Sequence, residues 1–225
     1  MRATAHSLRD RLAALEEEYA TLWAELRAFE ADYLRVVGIA LADLHEVEAR
    51  ILALVAVRSG TPDDERAAAR ARERAQETTT AIRSIPVPAG PPPTDDLKTL
   101  FRDAAKRMHP DLIEAAGGRT HAEAFMKRLN QAYTSGDADA IRNLVRQWET
   151  LPFAAAAPAE AARALEIAVA EAQRRLDELR ATELAELMER SLLAAAEGRD
   201  LLAELKLQTE ALLVTARARL AELNE

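Results

Sequence analysis

His109, Pro110 and Asp111 place an imidazole and a carboxylate two positions apart, with a proline holding the backbone between them. Such a pair can move protons, cap a helix or present a polar tip to a partner. As acid–base machinery it is poorly arranged: the two groups are too close in sequence and, at a helix end, too exposed to form a dyad. The other histidines, His6, His45 and His121, are scattered, and His45 is expected on a solvated helix surface. No Gly-rich phosphate loop is present, and the glutamates spread along helix faces, where solubility and helix pairing are their ordinary roles. With no cysteine the chain has no disulfide, thiolate nucleophile or cysteine-ligated zinc. The expectation is a binding protein, not an enzyme, with no catalytic residue, metal or cofactor.

A basic stripe leads into the tripeptide. Lys98, Arg102 and Lys106 recur at i, i+4 and i+8, with Arg107 adjacent. Like charges at that spacing weaken a helix slightly, so helix stability does not account for the stripe. Opposite it, Leu97, Leu100, Phe101, Ala104, Ala105 and Met108 form an apolar face. Thr94 is a natural N-cap, and Asp95 and Asp96 suit the positive end of the helix. Pro110 stops the helix, and His109 fits a capping role at its C-terminus. Asp111 there opposes the dipole, although Asp is also a common turn residue.

The chain is expected to return after Gly117-Gly118 in a second helix opened by Thr120 or His121. Phe125, Met126, Leu129, Ala132 and Tyr133 face its partner at helical spacing. Ser135-Gly136-Asp137 breaks this helix, and Asp137 caps a short third one carrying Ile141, Leu144, Val145 and Trp148. Two amphipathic helices joined by a loop of about ten residues make an antiparallel pair.

The stretch "LKTLFRDAAKRMHPDL…EAFMKRLNQAY" resembles the central helix pair of a J domain, the signature of DnaJ-type co-chaperones. The resemblance covers roughly residues 94–133. It implies that His109, Pro110 and Asp111 engage a DnaK-type chaperone and stimulate its ATP hydrolysis. It implies also that Lys98, Arg102, Lys106 and Arg107 supply charge for docking on an acidic surface of that partner. Phe101 falls where the family usually has tyrosine, and Met126 and Tyr133 fall on its packing positions. Departures from the family pattern are specific. The Pro-rich stretch "IPVPAGPPP" stands where the family's first helix should be, Asp103 replaces a usual basic residue, and Leu112 stands where a basic or polar residue is common.

The elements that position this module are long helices. Aromatic residues make up only 4% of the chain and charged residues 30%, which favours narrow helix seams over a broad core. Leu8, Leu12, Leu15, Tyr19, Leu22, Leu26, Phe29, Tyr33, Val36 and Ala40 follow an unbroken 4-3 spacing. The spacing slips to 4-4 at Leu44, beside Gly38, where a bend or change of partner is expected. Gly60, Thr61 and Pro62 read as the end of this helix and the cap of the next, which reaches about Arg83 and is too poor in large apolar residues to stand alone. A last helix is expected from about Ala159 to Leu223, with Leu165, Val169, Ala172, Leu176 and Leu179 on the seam and Leu184, Leu187, Leu201, Leu205, Leu212, Leu220 and Leu223 more loosely so. Gly198 marks a kink or a close helix crossing in it.

The expected fold is all-α, with long coiled-coil helices flanking a small J-like helical hairpin. Residues 1–83 form the N-terminal coiled-coil helices, 84–93 a Pro-rich linker, 94–150 the J-like module, 151–158 a second linker and 159–225 the C-terminal helix. The seams can pair within one chain or between two as a homodimer, or bind a client. A net charge of −8 argues against bulk nucleic-acid binding, and no aromatic platform accompanies the basic stripe. No apolar run approaches the roughly 20 residues a bilayer helix needs, and the polar N-terminus has no secretory h-region. A cytoplasmic protein without membrane contact is expected.

Overall fold

Caps set the helix boundaries where the sequence supplies them. The computed structural model describes residues 2–85, 93–113, 116–151 and 162–225, and all regular structure among them is helical. Most of the two expected linkers, residues 86–92 and 152–158, lies outside the described residues. The helices are α1 (Arg2–Tyr33), α2 (Ile39–Ser59), α3 (Pro62–Arg83), α4 (Asp95–Met108), α5 (Ala116–Thr134), α6 (Ala138–Glu149), α7 (Ala162–Arg180), α8 (Glu183–Ala196) and α9 (Leu201–Asn224). They fall into two units, Met1–Arg27 with Pro88–Glu186, and Ala28–Val87 with Leu187–Glu225. The division crosses the chain inside α1, within the first Pro-rich stretch and inside α8. Among the described residues no helix is long and apolar enough to cross a membrane.

The second unit is built on α2, with α3 and α9 against it. The slip in spacing beside Gly38 corresponds to a π-helical turn, Leu34–Gly38. A wider turn takes up an added residue without ending the helix, which is how the apolar stripe changes register. Gly38 is buried there, and a Cβ at this position would lie 3.3 Å from Ile82 Cγ1. Gly60 ends α2 at φ 62°, and the Thr61 hydroxyl accepts the Asp64 N–H to open α3. Helix α3 brings little apolar material of its own: Ala68 is its buried residue, and it lies along α2. His45, expected in solvent, is half-buried, its Nδ1 2.9 Å from Thr78 Oγ1, and burial lowers its pKa.

The single C-terminal helix expected from 159 to 223 is three helices. The chain breaks at Ala181 and Thr182 and again at Gly198, which adopts φ 76°. After that break the register of α9 differs from the expected one. Leu213 and Leu220 join Leu44, Val47 and Ile51 in the core, whereas Leu212 is exposed. Thr209, Leu213, Ala216, Leu220 and Leu223 are the residues at 4-3-4-3 spacing on its inner side. A leucine count along the chain does not see this, because the break resets the helical phase.

In the first unit α4, α5 and α6 close around Phe101, Met108, Leu129, Tyr133, Ile141, Leu144 and Trp148, with Ala13 and Ala20 of α1 against them. Thr94 and Asp137 cap α4 and α6 as expected, each accepting a backbone N–H three residues on. Gly136 leaves α5 at φ 72°. Helix α5 begins at Ala116, ahead of the expected Thr120 or His121, so Gly117 and Gly118 form its first turn and not a loop. Glycine costs most in a helix interior, and at a terminus it does not prevent helix formation. A second cluster joins α1 to α7 through Leu12, Leu15, Leu165, Ala168, Ala172 and Leu176.

Candidate docking face around His109

Helix α4 turns its apolar face, Leu97, Phe101, Ala104, Ala105 and Met108, into the first core. Phe101 and Tyr133 meet with ring centroids 4.6 Å apart, and Met126 is buried in the same cluster. The early part of α4 thus lies against the late part of α5, as in an antiparallel hairpin. A 3-10 turn, Pro110–Leu112, connects them. Leu112 is buried in the α1–α7 cluster. That burial anchors the turn.

His109 is not the exposed tip expected of it. Its side chain is 5% exposed as a residue, as is that of Glu16 on α1, and the two face each other with Nε2 3.3 Å from Oε1. The backbone N–H of Asp111 donates to Nδ1 at 3.2 Å. A backbone N–H can only donate, so Nδ1 is the accepting nitrogen and Nε2 carries the hydrogen that Glu16 receives. Glu16 also accepts a hydrogen bond from Arg175 of α7, whose guanidinium lies 5.7 Å from the Tyr19 ring centroid. Burial pushes the Glu16 carboxyl up, but His109 and the Arg175 charge outweigh it and hold the group below its ordinary value. Asp111 Oδ2 lies 3.8 Å from His109 Nδ1, and Oδ1 accepts from Arg119 at 3.0 Å. The two residues thought too exposed to face each other are side by side, and both imidazole nitrogens are engaged.

The basic stripe is engaged as well. Lys106 Nζ is 2.8 Å from Asp10 Oδ1, and its hydrogen bond holds the Asp10 carboxyl below the usual range. Arg102 reaches Glu17 at 3.5 Å, and Arg107 pairs with Glu149 at 2.6 Å. Lys98 is half-buried and has no ion-pair partner among the described residues. Glu17 also accepts from the Tyr133 hydroxyl at 3.4 Å, and that hydroxyl lies 2.7 Å from Thr21 Oγ1. Burial pushes the Tyr133 hydroxyl up to about 12. Tyr133→Phe removes both contacts and is expected to cost about 0.5–1.5 kcal/mol, read from the urea midpoint.

Sequence reasoning brought together the residues of α4, the turn and α5, and missed the partners from outside the hairpin: Asp10, Glu16, Glu17 and Arg175. One local signal points to Glu16. It stands four residues after Leu12 and one after Leu15, on the edge of the apolar stripe, where a carboxylate needs a partner. Among the described residues no group of three or more His, Asp or Glu side chains is placed to hold a metal ion. The described residues define an all-α protein whose candidate site is a helix face paired with carboxylates of its own chain. No family model, curated protein or solved structure matches this chain.

Proposed function

We propose that the chain is a J-type co-chaperone. Its α4–α5 hairpin engages a DnaK-type chaperone through His109, Pro110 and Asp111 and stimulates that partner's ATPase. Lys98, Arg102, Lys106 and Arg107 supply docking charge to an acidic surface. The helices outside the hairpin serve as coiled-coil arms, for pairing with a second copy or for holding a client, in a cytoplasmic setting. The observation that carries the reading is the α4–turn–α5 arrangement, in which a basic helix leads directly into His-Pro-Asp and the Phe101 ring packs at a tilt against Tyr133 across the pair. Chemistry belongs to the partner in this reading.

A second reading, a structural scaffold in which the J-like hairpin is only a spacer, draws on the burial of His109 against Glu16. Turnover of a purified DnaK-type chaperone separates the two. Wild-type protein is expected to raise ATP hydrolysis and His109→Gln to abolish the increase. Equal turnover with both proteins rules out the co-chaperone reading and leaves the scaffold.

A further inference from the structure

The basic face of α4 already has an acidic occupant. Asp10, Glu16 and Glu17 of α1 meet Lys106, His109 and Arg102 respectively, and Arg175 fastens Glu16 from the far side. We infer that α1 is an internal stand-in for the acidic surface on which the hairpin docks, a latch that must leave α4 before a partner can bind. This rests on the co-chaperone reading and adds its regulation.

The chemistry of the contact suits exchange. Against the hairpin core α1 contributes only Ala13 and Ala20 as buried residues, while Phe101, Met108, Leu129, Ile141, Leu144 and Trp148 come from α4, α5 and α6 themselves. At the turn Leu112 joins Leu12 and Leu15 of α1 in the second cluster, and along the basic face of α4 the contact is polar. Lys106–Asp10 and Arg102–Glu17 are part-exposed pairs that each resist opening only modestly, and the buried Glu16 and His109 regain hydration when they separate. An acidic partner would offer Lys106, Arg102 and His109 the same kind of oxygen acceptors that α1 withdraws. Like-for-like replacement of this sort makes the exchange nearly neutral in the α4 groups, and the partner's added contacts decide it. Lys98 is the one member of the stripe without an ion-pair partner among the described residues, and it can meet an incoming acidic surface before α1 leaves.

The latch is tested on the full chain with two variants. Asp10→Asn/Glu16→Gln/Glu17→Gln weakens the α1 side, and Arg175→Gln loosens Glu16 without touching α4 or the hairpin core. Hydrogen exchange reads opening, and binding to a purified DnaK-type chaperone reads access. Both variants are expected to exchange faster over residues 8–22 and 97–108 while 122–148 stays protected. Affinity for the chaperone should rise about tenfold or more in the triple variant and less in Arg175→Gln. If the variants open but bind no more tightly than a wild-type chain that itself binds, the latch is overturned and the co-chaperone reading stands. If neither variant opens, these ion pairs hold nothing and the latch is equally overturned. If the variants open and no form binds the chaperone, the co-chaperone reading fails and the inference falls with it.

Discussion

Phe101→Ala is expected to lower the stability of the hairpin unit by about 3–5 kcal/mol, a large part of what a small domain has. Phe101 is fully buried, packs at a tilt against the Tyr133 ring and sits in the cluster that also holds Met108, Leu129 and Trp148. Truncation removes the transfer energy of a ring and leaves a cavity in a module with few large side chains to collapse into it. Aromatic residues are only 4% of the chain, and this unit concentrates several of them, so each carries a disproportionate share of the packing. Urea unfolding followed by helix signal measures the loss. Leu100→Ala, on the same helix but only partly buried against the cluster, is the comparison and should cost clearly less. Equal effects from the two would mean that Phe101 does not sit in a packed core.

Glu16→Ala is expected to destabilise the same unit by about 1–3 kcal/mol, because it strands the buried His109 Nε2–H without an acceptor. Glu16→Gln keeps an oxygen for that hydrogen and should cost less. The two variants separate lost hydrogen bonding from lost charge. The charge has a signature in pH. The Glu16 carboxyl is held below its ordinary value of 4.5 in the folded chain, so it binds protons less readily folded than unfolded. Its contribution is therefore fully present above about 4.5 and is lost as pH falls through the lower folded value. A stability–pH curve for wild type should fall across that acid window more steeply than the curve for Glu16→Gln. Parallel curves would show that the Glu16 charge contributes nothing to folding.

Both expectations concern contacts that sequence spacing reveals unequally. Phe101 announces itself: it lies on the apolar face of a capped helix, and any partner helix must cover it. The capping residues Thr61, Thr94 and Asp137 were equally legible, since a cap is settled by atoms within three residues of one another. Gly60 and Gly136 likewise stop helices through their own backbone freedom, at φ 62° and 72°. Gly117 and Gly118 show where that rule fails, because glycine permits a turn without requiring one, and here both lie in the first turn of α5.

The candidate site divides along the same line. That a basic helix runs into His-Pro-Asp, and that a second helix returns along it, follows from patterns of three and four residues. The sequence by itself determined an all-α chain, the hairpin and the residues that line its face. Only the tertiary structure decided that His109 is buried, because its partner Glu16, and the Arg175 that in turn holds Glu16, lie on helices far away in the chain, and no local period encodes which carboxylate meets which cation. It also decided that Leu112 points into a second core and that Leu213, not Leu212, faces α2. Charges and leucines recur all along these helices, so many pairings are chemically equivalent one turn apart. The choice among them is made by the summed packing of whole helices, a quantity that exists only once they have met.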